Sequence, residues 1–143
     1  MRRPLLFACA PVVACMATLA ACDPTGSLRD DPADVVFLAM DAEQNAYPDA
    51  LFQGRVTLDA QGCLRLDTPD RHTVIWPHGY TLDAVGGALR VKGGGRREVG
   101  AVGESFRFGG GELASLENVG HISAATRARA EARCPGRYWM AAP

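Results

Sequence analysis

The chain has 143 residues, 48% of them hydrophobic, and carries 15 Lys and Arg against 16 Asp and Glu for a net charge of −1. That length supports one modest domain rather than two, and so even a balance is not the electrostatic footprint of a nucleic-acid binder. The charge is unevenly placed, with 11 acidic and 4 basic residues over Asp23–Asp83 and 5 acidic and 9 basic over Ala84–Pro143, an asymmetry that a solvated surface accounts for.

Met1-Arg2-Arg3 is a short cationic head, and Leu5 to Leu19 is almost wholly apolar. This is the charged and apolar pair of regions of a secretory signal. The run falls short of the ~20 apolar residues of a membrane-spanning helix, and Pro11 interrupts it. Arg2-Arg3 hints at twin-arginine export, but no Ser or Thr precedes the pair, which favours general secretion. Leu19-Ala20-Ala21-Cys22, with Asp23-Pro24 after it, resembles the lipobox of bacterial lipoproteins. In that family the final Cys thiol is alkylated by diacylglycerol and the leader is cut before it. The resemblance implies a signal peptide over residues 1–21 and a lipidated Cys22. Several acyl chains anchor stably where one alone is marginal. In enterobacterial lipoproteins an Asp after the lipidated Cys signals retention in the inner membrane, so Asp23 favours that membrane over the outer one. Loss of the leader removes Arg2 and Arg3 and leaves 13 basic against 16 acidic residues, a net −3.

Of the five cysteines, Cys9 and Cys15 leave with the leader and Cys22 takes the lipid. Cys63 and Cys134 remain, in a compartment where disulfides persist, and are predicted to pair. The alternatives are two separate buried thiols or a metal site, the latter weakened by the absence of a C-x-x-C pair. Closing a loop of about 70 residues stabilises by roughly 4 kcal/mol on the chain-entropy model.

Residues 22–34, rich in Asp, Pro, Gly and Ser, read as a flexible tether, and residues 35–143 as the folded domain. Val35–Met40 is a short apolar run, a first strand or a short helix, and Asp41–Asp49 is loop-like with Pro48 as a breaker. Gly54–Asp59 alternates as a half-buried strand does, Ala60-Gln61-Gly62 turns, and Cys63–Leu66 returns antiparallel. Thr68-Pro69-Asp70 turns into Thr73–Trp76, which Pro77-His78-Gly79 stops. Tyr80–Leu82 continues the sheet, Gly86-Gly87 turns into Ala88–Lys92, and Gly93–Gly95 turns again. Glu98–Val102 and Glu104–Phe108 follow, and Gly109–Gly111, three glycines ending a strand, allow close backbone approach and are read as a barrel corner. Ser123–Arg133 is a helix with Ser123 at its N-cap, ended by Pro135-Gly136. Arg137–Met140 is a last strand, and Cys134 would pin the helix end to the first hairpin. Turn signals about every ten residues predict a mainly β domain: a meander closing into a small antiparallel barrel or sandwich, with one C-terminal helix.

Gly62-Cys63-Leu64-Arg65-Leu66, Ile75-Trp76-Pro77-His78-Gly79, Gly103-Glu104 leading to Gly109-Gly110-Gly111-Glu112, and Cys134-Pro135-Gly136-Arg137-Tyr138-Trp139 together resemble a set of small bacterial lipoproteins. Those carry G-C-L-R, W-P-x-G, G-G-G-E and a late C-x-G-x-x-W. The likeness spans roughly Gly54 to Met140, and implies a compact, OB-like β fold without implying an activity.

Candidate chemistry is sparse. No G-x-S-x-G elbow is present, and Gly93-Gly94-Gly95-Arg96-Arg97 lacks the pattern and helix of a phosphate loop. Asp70, His72 and His78 are the ingredients of a partial metal site, although no spacing matches a zinc pattern. Trp76-Pro77-His78-Gly79 is the strongest functional candidate. An aromatic before Pro raises the chance of a cis bond, and Gly79 permits a tight turn that presents Trp76, His78 and Tyr80 to a ligand or partner. Core packing of Trp76 is the commoner use of such a residue. The reading is a lipid-anchored binding or structural module of the cell envelope, facing the periplasm, with an envelope protein or glycan as partner and neither metal nor cofactor. Its rival is an envelope hydrolase or metal-dependent enzyme, which requires Asp70, His72 and His78 to converge.

Overall fold

Alternating side chains give a strand two unlike faces, and a short sheet is stable only when its apolar face is covered. The computed structural model describes residues 34–117 and 119–143, so the expected leader, the expected lipidation at Cys22 and nearly all of the expected tether lie outside the described residues. Nine strands and one α-helix follow in order: β1 (Leu38–Ala39), β2 (Ala50–Leu58), β3 (Leu64–Leu66), β4 (Thr73–Trp76), β5 (Thr81–Val85), β6 (Ala88–Lys92), β7 (Glu98–Ala101), β8 (Ser105–Leu113), α1 (Ala124–Arg133) and β9 (Tyr138–Ala141).

Five strands close a barrel in the order β4-β3-β2-β8-β9, with β9 returning to β4. All neighbours are antiparallel except β4 and β9, which run parallel with Val74 opposite Trp139. Numbered along the chain, the barrel strands circulate first, second, third, fifth, fourth. That is the connectivity of an OB-type Greek-key barrel. The helix stands between the fourth and fifth strands, and β5, β6 and β7 form a separate three-stranded sheet between the third and fourth.

The meander expectation holds locally and fails at the closure. Tyr80–Leu82 does not extend the first sheet; Thr81–Val85 opens the second one, paired with β6. β2 begins at Ala50, four residues before the predicted strand, because its first half pairs with β8 while Val56–Leu58 pair with β3. β8 does not end at the glycines. It runs through them, and Gly110 pairs with Ala50 on one side and Ala141 on the other. Gly110 has φ +146, and a side chain there would collide with the Met140 carbonyl and the Trp139 indole. A triple glycine in a strand therefore marks backbone crowding between two neighbours, not a stop. No described peptide bond is cis, so Trp76-Pro77 is trans, with Gly79 (φ +77) supplying the turn.

Two apolar clusters lie on opposite sides of the barrel wall. Val56, Leu64, Leu66, Val74, Trp76, Phe106 and Phe108 fill the interior. Ile75, Tyr138 and Met140 face outward, and meet Val36, Leu38, Met40, Leu116, Ile122 and Ala130. All four residues of β4 are buried as a result, which explains a strand of continuous β-branched and aromatic residues where alternation would have been expected.

The helix contributes little to that outer cluster, since Ala130 is its one buried residue. Other contacts hold it. The Ser123 hydroxyl caps its start by accepting from Thr126 N at 3.1 Å, as the sequence implied, and Cys63–Cys134 joins its end to the residue before β3. Arg133 Nη2 donates to the carbonyls of Asp34 and Gln61 at 3.2 and 3.1 Å.

The bridge spans 71 positions of sequence, a loop worth about 4 kcal/mol in the unfolded state. Replacing both Cys63 and Cys134 by Ala should lower the unfolding free energy by about that amount, read from urea denaturation. Reduction of the parent protein should produce a comparable loss. A change below about 1 kcal/mol would show that the cap and the arginine contacts hold α1 unaided.

Candidate functional site

Strand alternation places the residues of β4 on a line. Val74 and Trp76 point into the barrel, and His72, one residue before the strand, continues the same face. His72 and His78 therefore flank opposite ends of β4, roughly 15 Å or more apart by strand rise. Asp70, His72 and His78 do not converge. Among the described residues no three His, Cys, Asp or Glu side chains are placed to hold a metal ion.

At the His72 end, a chain of charges crosses three strands. His72 is 5% exposed and stands edge-on to the Trp139 ring. Its Nε2 is 3.5 Å from Glu112 Oε2 without forming a hydrogen bond. Glu112 Oε1 is 2.9 Å from Arg137 Nη1, which also reaches Asp70 Oδ1 at 3.7 Å. Both ring nitrogens of His72 and Nε1 of Trp139 are buried without partners, a burden of about 1–3 kcal/mol for each unsatisfied group.

The face that OB barrels use for ligands, the outer side of their second and third strands, is filled here. Arg65 on β3 pairs with Asp59 at 2.9 Å, with both side chains about nine-tenths buried. It also donates to Thr73 Oγ1 at 2.6 Å and to the Pro135 carbonyl at 3.2 Å. Ile75 on β4 is covered by the outer cluster.

A groove of about 700 Å³ opens at the Trp76 end, and a smaller one of about 530 Å³ lies beside Glu112, His121 and Met140. The larger gathers side chains from five parts of the chain: Tyr47 before β2, Trp76 from β4, His78 and Tyr80 from the following turn, Arg97 from the β6–β7 link, and Arg107 from β8. Of the three residues predicted to face a ligand, Trp76 is the one the structure moves. It is 1% exposed, sandwiched between Phe37 at 6.0 Å and Tyr80 at 6.1 Å, with rings nearly parallel to both. It is core first, and reaches the groove only as part of its floor. Its Nε1 has no partner, whereas a buried indole N–H usually finds one. His78 is exposed and its Nδ1 lies 3.1 Å from the Met40 carbonyl. A carbonyl only accepts, so Nδ1 carries the proton and Nε2 faces other partners. Tyr80 is half-buried; burial pushes its phenol above the usual value of 10.0, Arg97 nearby works against the shift, and Tyr47 adds to it.

Sequence reasoning missed Tyr47, Arg97 and Arg107. Nothing in the spacing of these residues links them to Trp76. Only the β4–β9 closure and the detour through β5–β7 bring them together. Comparison with protein-family models, curated proteins and solved structures finds no match for the chain.

Two outcomes follow from these environments. His72 has no hydrogen bond to lose, so His72→Leu should leave the melting temperature unchanged or raise it, while His72→Ala should cost about 2 kcal/mol by opening a cavity. Equal losses in thermal unfolding would mean that the charge contact with Glu112 is stabilising. Burial also raises Tyr138, against Arg65 and with Glu131. A tyrosine whose folded pKa is raised adds stability that is whole below pH 10 and is lost as pH climbs through the folded value. Stability should therefore fall above pH 10, and the combined Tyr80→Phe, Tyr138→Phe variant should blunt that fall in pH-dependent denaturation.

Proposed function

We propose that this protein is an exported bacterial lipoprotein, held to a membrane by acyl chains on Cys22, whose barrel faces the periplasm and binds an envelope partner in the groove beside Trp76. The lipobox-like Leu19-Ala20-Ala21-Cys22 supports the anchor. The Cys63–Cys134 bridge is in keeping with an oxidising compartment. The observation that carries the binding role is the groove itself. His78 and Tyr80 share it with Arg97 and Arg107 on a barrel closed by hydrogen bonds all round. Rigid walls lower the ordering cost of binding.

A short tether of about a dozen residues spans at most ~40 Å, so the partner lies close to the membrane surface. The test is made on the full chain expressed in a bacterial host. Mass spectrometry of the mature amino terminus should find Cys22 carrying diacylglycerol and residues 1–21 removed, and the protein should sediment with membranes. Cys22→Ala should release it or leave the leader uncut. A free thiol at Cys22 with the leader still attached would end the proposal.

A further inference from the structure

We propose that the groove beside Trp76 takes an anionic saccharide, its acidic group held by Arg97 and Arg107 and its ring set against the tyrosine-lined wall. This deepens the binding role given above and rests on it for the location of the ligand.

The charge comes first. Arg97 and Arg107 are exposed, and neither guanidinium makes an ion pair or hydrogen bond with another described residue. Arg65, Arg90 and Arg137, by contrast, are ion-paired with Asp59, Glu98 and Glu112. Of the two acidic side chains along the groove, Glu98 is already taken by Arg90, which leaves the Glu43 side chain beside two guanidinium groups. A planar guanidinium fork matches a carboxylate or phosphate with two parallel hydrogen bonds.

Size and lining then favour a sugar over a bare ion. A groove of about 700 Å³ has the dimensions of a site for an organic ligand. Its wall is amphipathic: two half-buried phenols, Tyr47 and Tyr80, and the exposed His78, whose Nδ1 is held by the Met40 carbonyl. A saccharide ring with apolar faces and a hydroxyl rim meets both demands. The barrel strands in the wall, β4 and β8, are hydrogen-bonded on both sides, while β7, whose Glu98 and Val99 also line the groove, is an edge strand of its sheet, so an acidic peptide is the competing occupant that the titration below must separate. Trp76 lines the groove, which makes its indole a reporter of occupancy.

The full-length lipoprotein in neutral detergent would be titrated with trigalacturonate, a sugar phosphate, a neutral trisaccharide, inorganic phosphate and a short polyglutamate, followed by calorimetry and tryptophan fluorescence. Trp139→Phe leaves Trp76 as the emitter. Trigalacturonate or the sugar phosphate should bind saturably and shift the emission. Arg97→Gln and Arg107→Gln should each weaken binding about 10-fold or more, as befits loss of a charged hydrogen bond. Glu43→Gln should tighten it. Circular dichroism of each variant should match the parent.

The proposal is overturned if the neutral trisaccharide binds as well as the acidic one, or if folded Arg97→Gln and Arg107→Gln variants bind unchanged. It is equally overturned if inorganic phosphate or polyglutamate binds tighter than either sugar. A protein lipidated on Cys22 that binds no saccharide refutes this inference and spares the anchor. A saccharide binder with unmodified Cys22 does the reverse.

Discussion

A strand buried on both faces must be covered twice, and β4 sets this demand for the whole molecule. Val74 and Trp76 need a barrel interior, while Ile75 needs an outer layer. Closure by β9 answers the first need, since only a parallel partner beside Thr73–Ile75 completes the ring. The second need calls in β1, the loop after β8 and the end of α1. The polar cost of that seam is settled locally: Arg65 gathers Asp59, Thr73 and the Pro135 carbonyl, and Thr73 Oγ1 also reaches the Cys134 carbonyl at 3.4 Å. The disulfide and this buried polar cluster fix the same few residues. A weak helix can therefore serve as a connector without contributing much core of its own.

The same demand decides where a ligand can go. Covering Ile75 occupies much of the face on which OB barrels ordinarily bind, and a roomier concavity opens at the barrel mouth at the Trp76 end. There the β6–β7 link contributes Arg97 to the same groove that Arg107 of β8 lines. At the opposite mouth His72, Trp139, Glu112 and Arg137 make a charged plug instead of an opening.

How much of this was legible in the sequence depended on how local each signal was. The helix, its Ser123 cap and its Pro135-Gly136 end were readable because capping and chain-breaking act within one turn. The Cys63–Cys134 pair followed from elimination of the other three cysteines. Strand positions were right where alternation was clean, at Val56-Thr57-Leu58 and Leu64-Arg65-Leu66, and short by four residues in β2, where the apolar Leu51 faces solvent beside the buried Phe52 and blurs the alternation. Gly109-Gly110-Gly111 misled for a physical reason. Glycine signals either a turn or a tight approach, and the approach is made by β9, some 30 positions away in sequence. The partners of Trp76 in the groove were invisible for the same cause.

The burial of Trp76 is what makes the groove usable as a site. An exposed indole at a turn would move with that turn, and a ligand would have to order it. Here the ring is clamped between Phe37 and Tyr80 and backed by Phe106 and Phe108 at 6.0 and 5.4 Å. Tyr80, stacked on that fixed ring, inherits its position, and the glycine-rich link carrying Arg97 closes against Tyr80, since any Cβ at Gly93 would crowd the phenol at 3.1–3.3 Å. The core thus extends in a short stack of rings to the rim of the groove. Side chains that meet solvent there are held by ones that do not, which is the arrangement a preorganised binding surface requires.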